Sequence, residues 1–307
     1  MKRQPTNIGH SVRERLKNLA LSEGKDANYL YQRYAFERFY FRIGLSKHSR
    51  RFVLKGASLF ALWLGPMFRM TQDTDLESNM TPDHDEIAAA FRAIASVPVP
   101  EPDGVVYDMD SLTVEEIKKQ DDYKGVRVKF TARIEQARLV LQFDIGFGDS
   151  IYPGPEFAEY PTLLGGQPPK VLVYPHYTAI AEKFRAMVKL GMVNTRLKDY
   201  FDIWALAGKF QFDLSLLRAA VERTFTRSKL DLPASWPSGL GEEFASDEAK
   251  VRQWNALLKK IQPPERPESL PAAVGRIRDL LAPIVFRKDD EGAWSWSPEK
   301  GHWALRP

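Results

Sequence analysis

Lys55-Gly56-Ala57-Ser58, then a short apolar run, then Arg69-Met70-Thr71-Gln72-Asp73-Thr74-Asp75: the reading of the fold turns on this stretch. Two carboxylates two residues apart on a strand project to the same side. Like charges held that close repel unless a cation sits between them, so Asp73 and Asp75 suit a divalent metal. A third carboxylate, Asp144, lies within the apolar run Leu139-Val140-Leu141-Gln142-Phe143-Asp144-Ile145, where an ionised group is costly without a partner. If the two strands are neighbours, Asp73, Asp75 and Asp144 form one cluster. Around two Mg²⁺ ions such a cluster would neutralise a triphosphate and activate a hydroxyl for in-line displacement. The small residues Gly56 to Ser58, at a strand-to-helix turn, let backbone N–H groups approach phosphate oxygens. An Asp-x-Asp is common in turns, and a strand-interior Asp can simply cap a loop. The ordered combination is what points to chemistry.

Outward from this stretch, the first fifty residues read as helical. Val12, Leu16, Leu19 and Ala20 recur at helix spacing with Gly24 as a stop, and a second run covers Leu30 to Ile43. Arg51 to Leu54 begins a strand, Gly56 to Leu64 a short helix, and Gly65-Pro66 a turn. Thr74 to Glu77 reads as a strand. Thr81-Pro82 predicts the start of a helix running to Ala95. Val105 to Met109 is a weak strand; Val126 to Ile134 and Leu139 to Phe147 are stronger ones, joined at Glu135-Gln136. After Pro175 the pattern is helical over Tyr177–Leu190, Lys198–Gly208, Leu214–Thr226, Glu243–Ile261 and Leu270–Val285. Pro263 to Pro267 is a stiff linker, and the tail from Lys288 a loop or hairpin. Strands in the middle with helices at both ends predict an α+β nucleus followed by a helical domain: a helical segment over 1–50, a core over 51–172 and a helical region over 173–307.

The helical half carries a second constellation. Glu182-Lys183-Phe184-Arg185-Ala186 lies on one helix, and Arg196-Leu197-Lys198-Asp199-Tyr200-Phe201-Asp202 opens the next. Asp199 and Asp202 share a helical face. One reading is an Arg/Lys/Asp network that pins two helices together. The other aims Lys183 at phosphates as a mobile charge, oriented by Asp202.

The chain has 307 residues, 44% of them hydrophobic and 27% charged, a net charge of +4 and no cysteine. Disulfides and thiolate metal sites are excluded, and a cytosolic setting is expected. Met1 to Arg15 lacks the apolar core of a signal peptide, and Phe60 to Phe68 is too short to span a bilayer, so no membrane role is expected. The sequence has no His-Glu-x-x-His, P-loop or Gly-x-Ser-x-Gly pattern, which leaves metalloproteases, P-loop ATPases and α/β-hydrolases without support.

From about Asn7 to Leu206 these segments, in order, resemble the AbiEii/AbiGii-type nucleotidyltransferase toxins of the DNA polymerase β-like superfamily. The matching residues are Phe52 to Ala57, Arg69-x-Thr71-x-Asp73-x-Asp75, Asp144-Ile145-Gly146-Phe147-Gly148, Glu182-Lys183-x-x-Ala186 and Lys198-Asp199-x-x-Asp202. The resemblance implies a polymerase β-like core with a mixed sheet, flanked by N-terminal helices and a helical C-terminal domain. It implies Asp73 and Asp75 as metal ligands, with Asp144 aligned as the third from its strand context. It places Lys55, Gly56, Ser58, Arg69, Thr71 and Asp199 near the nucleotide, and adds Lys183 and Asp202 to the active site. Ala57 stands where many members have a second glycine, and the spacing from Gly56 to Asp73 is longer than in the wider superfamily.

The expected activity is transfer of a nucleoside monophosphate from an NTP to an RNA, the tRNA 3′ end, with Mg²⁺ or Mn²⁺ as cofactor. The expected setting is abortive infection and phage defence, and the expected partner a cognate antitoxin encoded separately. Arg185, Lys189, Arg196 and Lys198 are candidates for holding the RNA backbone, or form a solvated helix face. The competing readings are a catalytically silent nucleotide- or RNA-binding protein of the same fold and a metal-dependent nuclease.

Overall fold

A computed structural model describes residues 7–65, 73–118, 124–286 and 292–305 of the chain. It divides into two compact units: one of residues 1–148 and 156–173, the other of residues 149–155 and 174–307. The expected sites Arg69 and Thr71 lie outside the described residues.

The first unit opens with α1 (Ile8–Ser22), capped by the Asn7 side chain on His10 N, and α2 (Ala27–Leu45), capped by Asp26 on Tyr29 N. Next come β1 (Phe52–Lys55), a 3₁₀ turn over Gly56–Ser58, α3 (Leu59–Leu64), β2 (Thr74–Ser78) and α4 (His84–Ala95). The strands β3 (Val105–Lys118), β4 (Lys124–Ile134), β5 (Ala137–Phe147), β6 (Glu156–Glu159) and β7 (Lys170–Val173) complete it. Seven strands form one mixed sheet in the order β3-β4-β5-β2-β1-β7-β6, so the strand carrying Asp75 is central. β2 runs antiparallel to β1 and parallel to β5, and β1 runs parallel to β7.

Strict alternation gives this sheet two unlike faces. Leu54, Leu76, Val128, Phe130, Phe143 and Ile145 are buried on one. There Phe39 of α2 and Phe91 of α4 pack on them, with ring centroids 4.9 Å from Phe39 to Phe143, 5.2 Å from Phe39 to Phe130 and 5.2 Å from Phe91 to Phe143. Offset and edge-on aromatic contacts of this kind add about 0.5–1.5 kcal/mol each beyond burial. The other face carries Lys55, Asp75, Glu77, Arg127, Gln142 and Asp144, as the registers below show.

α2 is a departure from an ordinary amphipathic helix, because nearly every residue from Leu30 to Ile43 is buried. Its charged residues are therefore paired. Arg42 makes a two-pronged contact with Asp103, at 2.6 and 3.2 Å. Glu37, 1% exposed, accepts from Leu163 N at 2.8 Å and pairs with Arg38 at 3.0 Å. Burial pushes the Glu37 carboxyl up to about 7, with Arg38 and the Leu163 N–H opposing.

In this unit two boundaries and two strands differ from what the sequence predicts. The helix expected at Thr81-Pro82 starts at His84, because Asp83 caps Glu86 N at 2.8 Å. The weak strand at Val105 continues to Lys118 through a register shift between Asp108 and Thr113. β6 and β7, too short to show a pattern of their own, were not anticipated.

The second unit contains α5 (His176–Leu190), α6 (Leu197–Lys209), the short strand β8 (Phe212–Asp213) and α7 (Leu214–Arg227). It continues through α8 (Glu242–Ser246), α9 (Glu248–Ile261), α10 (Leu270–Phe286) and the hairpin β9 (Trp294–Ser297) and β10 (His302–Leu305), which pairs with β8. The single helix expected over Glu243–Ile261 is two, since the Asp247 side chain caps Lys250 N and starts a new one. Three buried polar groups here are satisfied by long-range bonds: Tyr200 Oη donates to Gly239 O, Lys250 Nζ to Asn194 O and Trp296 Nε1 to Ala207 O, each at 2.7 Å. No helix among the described residues is long and apolar enough to cross a membrane.

Candidate active site

Three strand registers assemble the site in the first unit. Lys55 pairs with Asp75 across β1 and β2, Asp75 with Asp144 across β2 and β5, and Asp144 with Arg127 across β5 and β4. Two neighbouring carboxylates flanked by a cation on either side thus cross the middle of the sheet on its polar face. The expected adjacency of the Asp75 and Asp144 strands is present. Asp73 lies just before β2 and is exposed.

β1 ends at Lys55, and the chain turns through Gly56 at a φ of +69°. A Cβ at Gly56 would collide with Asp75 Oδ2 and lie 2.9 Å from its Cγ. Only glycine both adopts this backbone cheaply and leaves the carboxylate its place. Lys55 Nζ donates to Glu77 Oε2 at 2.7 Å, and both residues are buried. Ser58 is 3% exposed: its Oγ accepts from Tyr40 Oη at 3.3 Å and its carbonyl from Tyr160 Oη at 3.2 Å. Tyr40 also meets Thr74 Oγ1 at 2.6 Å, and burial raises its phenol to about 12. The Ser58 hydroxyl therefore fastens the turn to α2.

Asp144 is held by Arg127 through two bonds of 2.8 Å and by Gln142 Nε2 at 3.3 Å. Those bonds to Asp144 hold the guanidinium above the ordinary arginine range against burial, and the charges of Glu115 and Asp73 add to the effect. Among the described residues no three His, Asp or Glu side chains are gathered to hold a metal ion. The expected trio of Asp73, Asp75 and Asp144 is thus not a ready ligand set, because the third carboxylate is turned to Arg127. The donors themselves fit a hard divalent cation: oxygen ligands only, the Asp75 carboxylate in a cradle that a Cβ would fill, and a positive charge already drawn among Asp73, Asp144 and Glu115.

The second unit gathers Lys183, Asp199 and Asp202. Lys183 Nζ donates to Asp199 Oδ1 at 2.7 Å and Asp202 Oδ2 at 2.8 Å, and Arg196 Nε lies 2.7 Å from Asp199 Oδ2. Burial alone would raise the Asp199 carboxyl; Lys183 and Arg196 outweigh it and leave it below its ordinary value. This is the network that pins α5 to α6. Lys189, Arg196 and Lys198 are exposed, and Arg185 is half-buried.

Sequence reasoning missed Arg127, Glu77, Gln142 and Tyr40. The signal for Arg127 was present: the two-residue turn at Glu135-Gln136 pairs Ile134 with Ala137, and counting back along both strands brings Arg127 opposite Asp144.

A mixed sheet with an acidic pair entering its central strand, beside a glycine turn, defines a nucleotidyltransferase core. The same fold occurs in a crystal structure from H. pylori provisionally described as a nucleotidyltransferase. It is 15% identical, with a TM-score of 0.51 over 86% of this chain and 98% of its own. JHP933 from Helicobacter pylori is 14% identical with a TM-score of 0.47, over 84% of this chain and 93% of its own. No curated protein sequence matches the chain. Residues 38–276 match the family of AbiEii nucleotidyltransferase toxins of type IV toxin–antitoxin systems, and the chain belongs to that family. It is accordingly a transferase.

Proposed function

We propose that the chain transfers a nucleoside monophosphate from an NTP to the 3′ hydroxyl of an RNA, with tRNA as acceptor, in a Mg²⁺-dependent reaction. The observation that carries this reading is the register Lys55–Asp75–Asp144 beside the Gly56 turn, which sets two carboxylates on adjacent strands next to a glycine turn packed against Asp75. The hydroxyl oxygen attacks the α-phosphorus, the bond to the β-phosphate oxygen breaks and pyrophosphate leaves. A divalent cation on Asp73 and Asp75 would neutralise polyphosphate charge and acidify the attacking hydroxyl. The Gly56 turn orients the phosphates through its backbone, and Asp144 assists loss of the hydroxyl proton. The exposed Lys189, Arg196 and Lys198 supply charge for an RNA backbone. For Lys183, its two ion pairs of 2.7 and 2.8 Å favour holding helices together over contacting phosphate. The antitoxin that the family implies is a separate protein.

The test is to incubate the protein with Mg²⁺, total bacterial tRNA and each of the four labelled NTPs, with Asp73→Ala alongside. Label should appear on tRNA with one NTP and vanish in the variant. Label retained by the variant, or none on any RNA, overturns the reading.

A further inference from the structure

Arg127 is a group of the charged row whose role the reaction leaves open. Its guanidinium meets both oxygens of Asp144 at 2.8 Å and feels the charges of Asp73 and Glu115. It therefore sits where the acidic set draws a cation. The pair is not sealed, since the side chains of Arg127 and Asp144 are 30% and 16% exposed, and an ion pair that water reaches is readily exchanged. A planar guanidinium fork fits a phosphate as well as it fits a carboxylate. Glu115 lies across from Arg127 in the β3–β4 register, and its Oε1 accepts from Lys129 Nζ at 2.7 Å.

We propose that Arg127 is a nucleotide-responsive clamp on the acidic cluster: it holds Asp144 until an anionic polyphosphate takes its guanidinium, and only then does Asp144 become available to a divalent cation. The clamp rests on the nucleotidyltransferase reading above. It makes metal and nucleotide mutually reinforcing ligands, since coupling between two binding sites is reciprocal. It also gives Asp144 a counter-charge where it stands level with Asp75 in the empty enzyme.

The clamp gives one variant two effects of opposite sign. In the full chain, Arg127→Gln frees Asp144, so Mn²⁺ alone, titrated by electron paramagnetic resonance, should bind about tenfold more tightly than in wild type. The same variant loses a phosphate contact. The four α,β-methylene NTP analogues, titrated calorimetrically in EDTA, should bind about tenfold more weakly. Adding Asp144→Asn to Arg127→Gln should return Mn²⁺ affinity to the wild-type value. Arg127→Lys keeps a cation on the carboxylate and should stay near wild type for Mn²⁺, which separates the clamp from a loss of fold. Unchanged Mn²⁺ affinity in Arg127→Gln, or both ligands shifting in the same direction, overturns the clamp. If Asp73→Ala abolishes Mn²⁺ binding while Arg127→Gln leaves it unaltered, the clamp alone falls. If wild type and variant both fail to bind Mn²⁺, the metal-dependent reading falls with it.

Discussion

Gly56→Ala separates geometry from stability at the turn after β1. Gly56 sits at a φ of +69°, which costs an alanine roughly 1–2 kcal/mol. At roughly 2–4 °C per kcal/mol for a domain of 150–250 residues, melting should fall by about 2–8 °C. The new methyl also collides with Asp75 Oδ2, lying 2.9 Å from Cγ and 3.0 Å from Cβ of that residue. The carboxyl group must shift by about an ångström, and misplacement on that scale costs on the order of 10²-fold in rate. Gly165→Ala is the control: its φ is +78° but nothing lies within 4 Å of the added carbon. Differential scanning fluorimetry and label transfer to tRNA read the two effects apart. Both variants should lose similar stability, and only Gly56→Ala should lose transfer. A Gly56→Ala protein that melts lower yet transfers at the wild-type rate would refute the placing of Asp75 in the reaction.

Folded Glu37 keeps its proton up to about pH 7, whereas the unfolded chain releases it near 4.5. The native state binds the extra proton in that window, so Glu37's contribution is full below pH 4.5 and declines as pH rises through 7. The loss is about 3 kcal/mol, from 2.5 pH units at 1.36 kcal/mol each. Glu37→Gln should flatten this slope in urea midpoints measured from pH 5 to 8, and an unchanged slope would contradict the assignment. Lys183→Met removes the cation shared by buried Asp199 and Asp202, leaving Asp199 to Arg196, and should cost about 3–5 kcal/mol by thermal unfolding, with Asp199→Asn and Asp202→Asn together recovering most of it. A Lys183→Met protein that melts like wild type would show that the network pins nothing.

Much of the candidate site was legible because it is local. Gly56 to Ser58 and Asp73-x-Asp75 announce themselves by residue type and spacing, and Asp144 by being an acid in an apolar strand. What was not legible depends on distant partners. The parallel pairing of Thr74 with Phe143, which brings Asp75 level with Asp144, joins segments almost seventy residues apart, and no local pattern encodes it. Ser58, expected near the nucleotide, is bonded by Tyr40 and Tyr160, and nothing near it in sequence foretells either partner. Lys183, Asp199 and Asp202 were visible as a set, but two descriptions fitted them until the distances favoured the helix pin. α2 was legible as a helix but not as an interior one: with both flanks covered, its charges are interior residues that need partners, and helical periodicity cannot say so.

The turn at Glu135 and Gln136 acts as a ruler. Glu135 takes a φ of +54°, and its carboxylate is gripped by Arg13 at 2.9 Å and His10 at 3.0 Å from α1. One residue inserted there would carry Phe130 from the interior toward water and Arg127 away from Asp144 in a single slip. The hairpin can therefore drift in sequence far more freely than in length, and the first helix, remote from any chemistry, is what keeps its gauge.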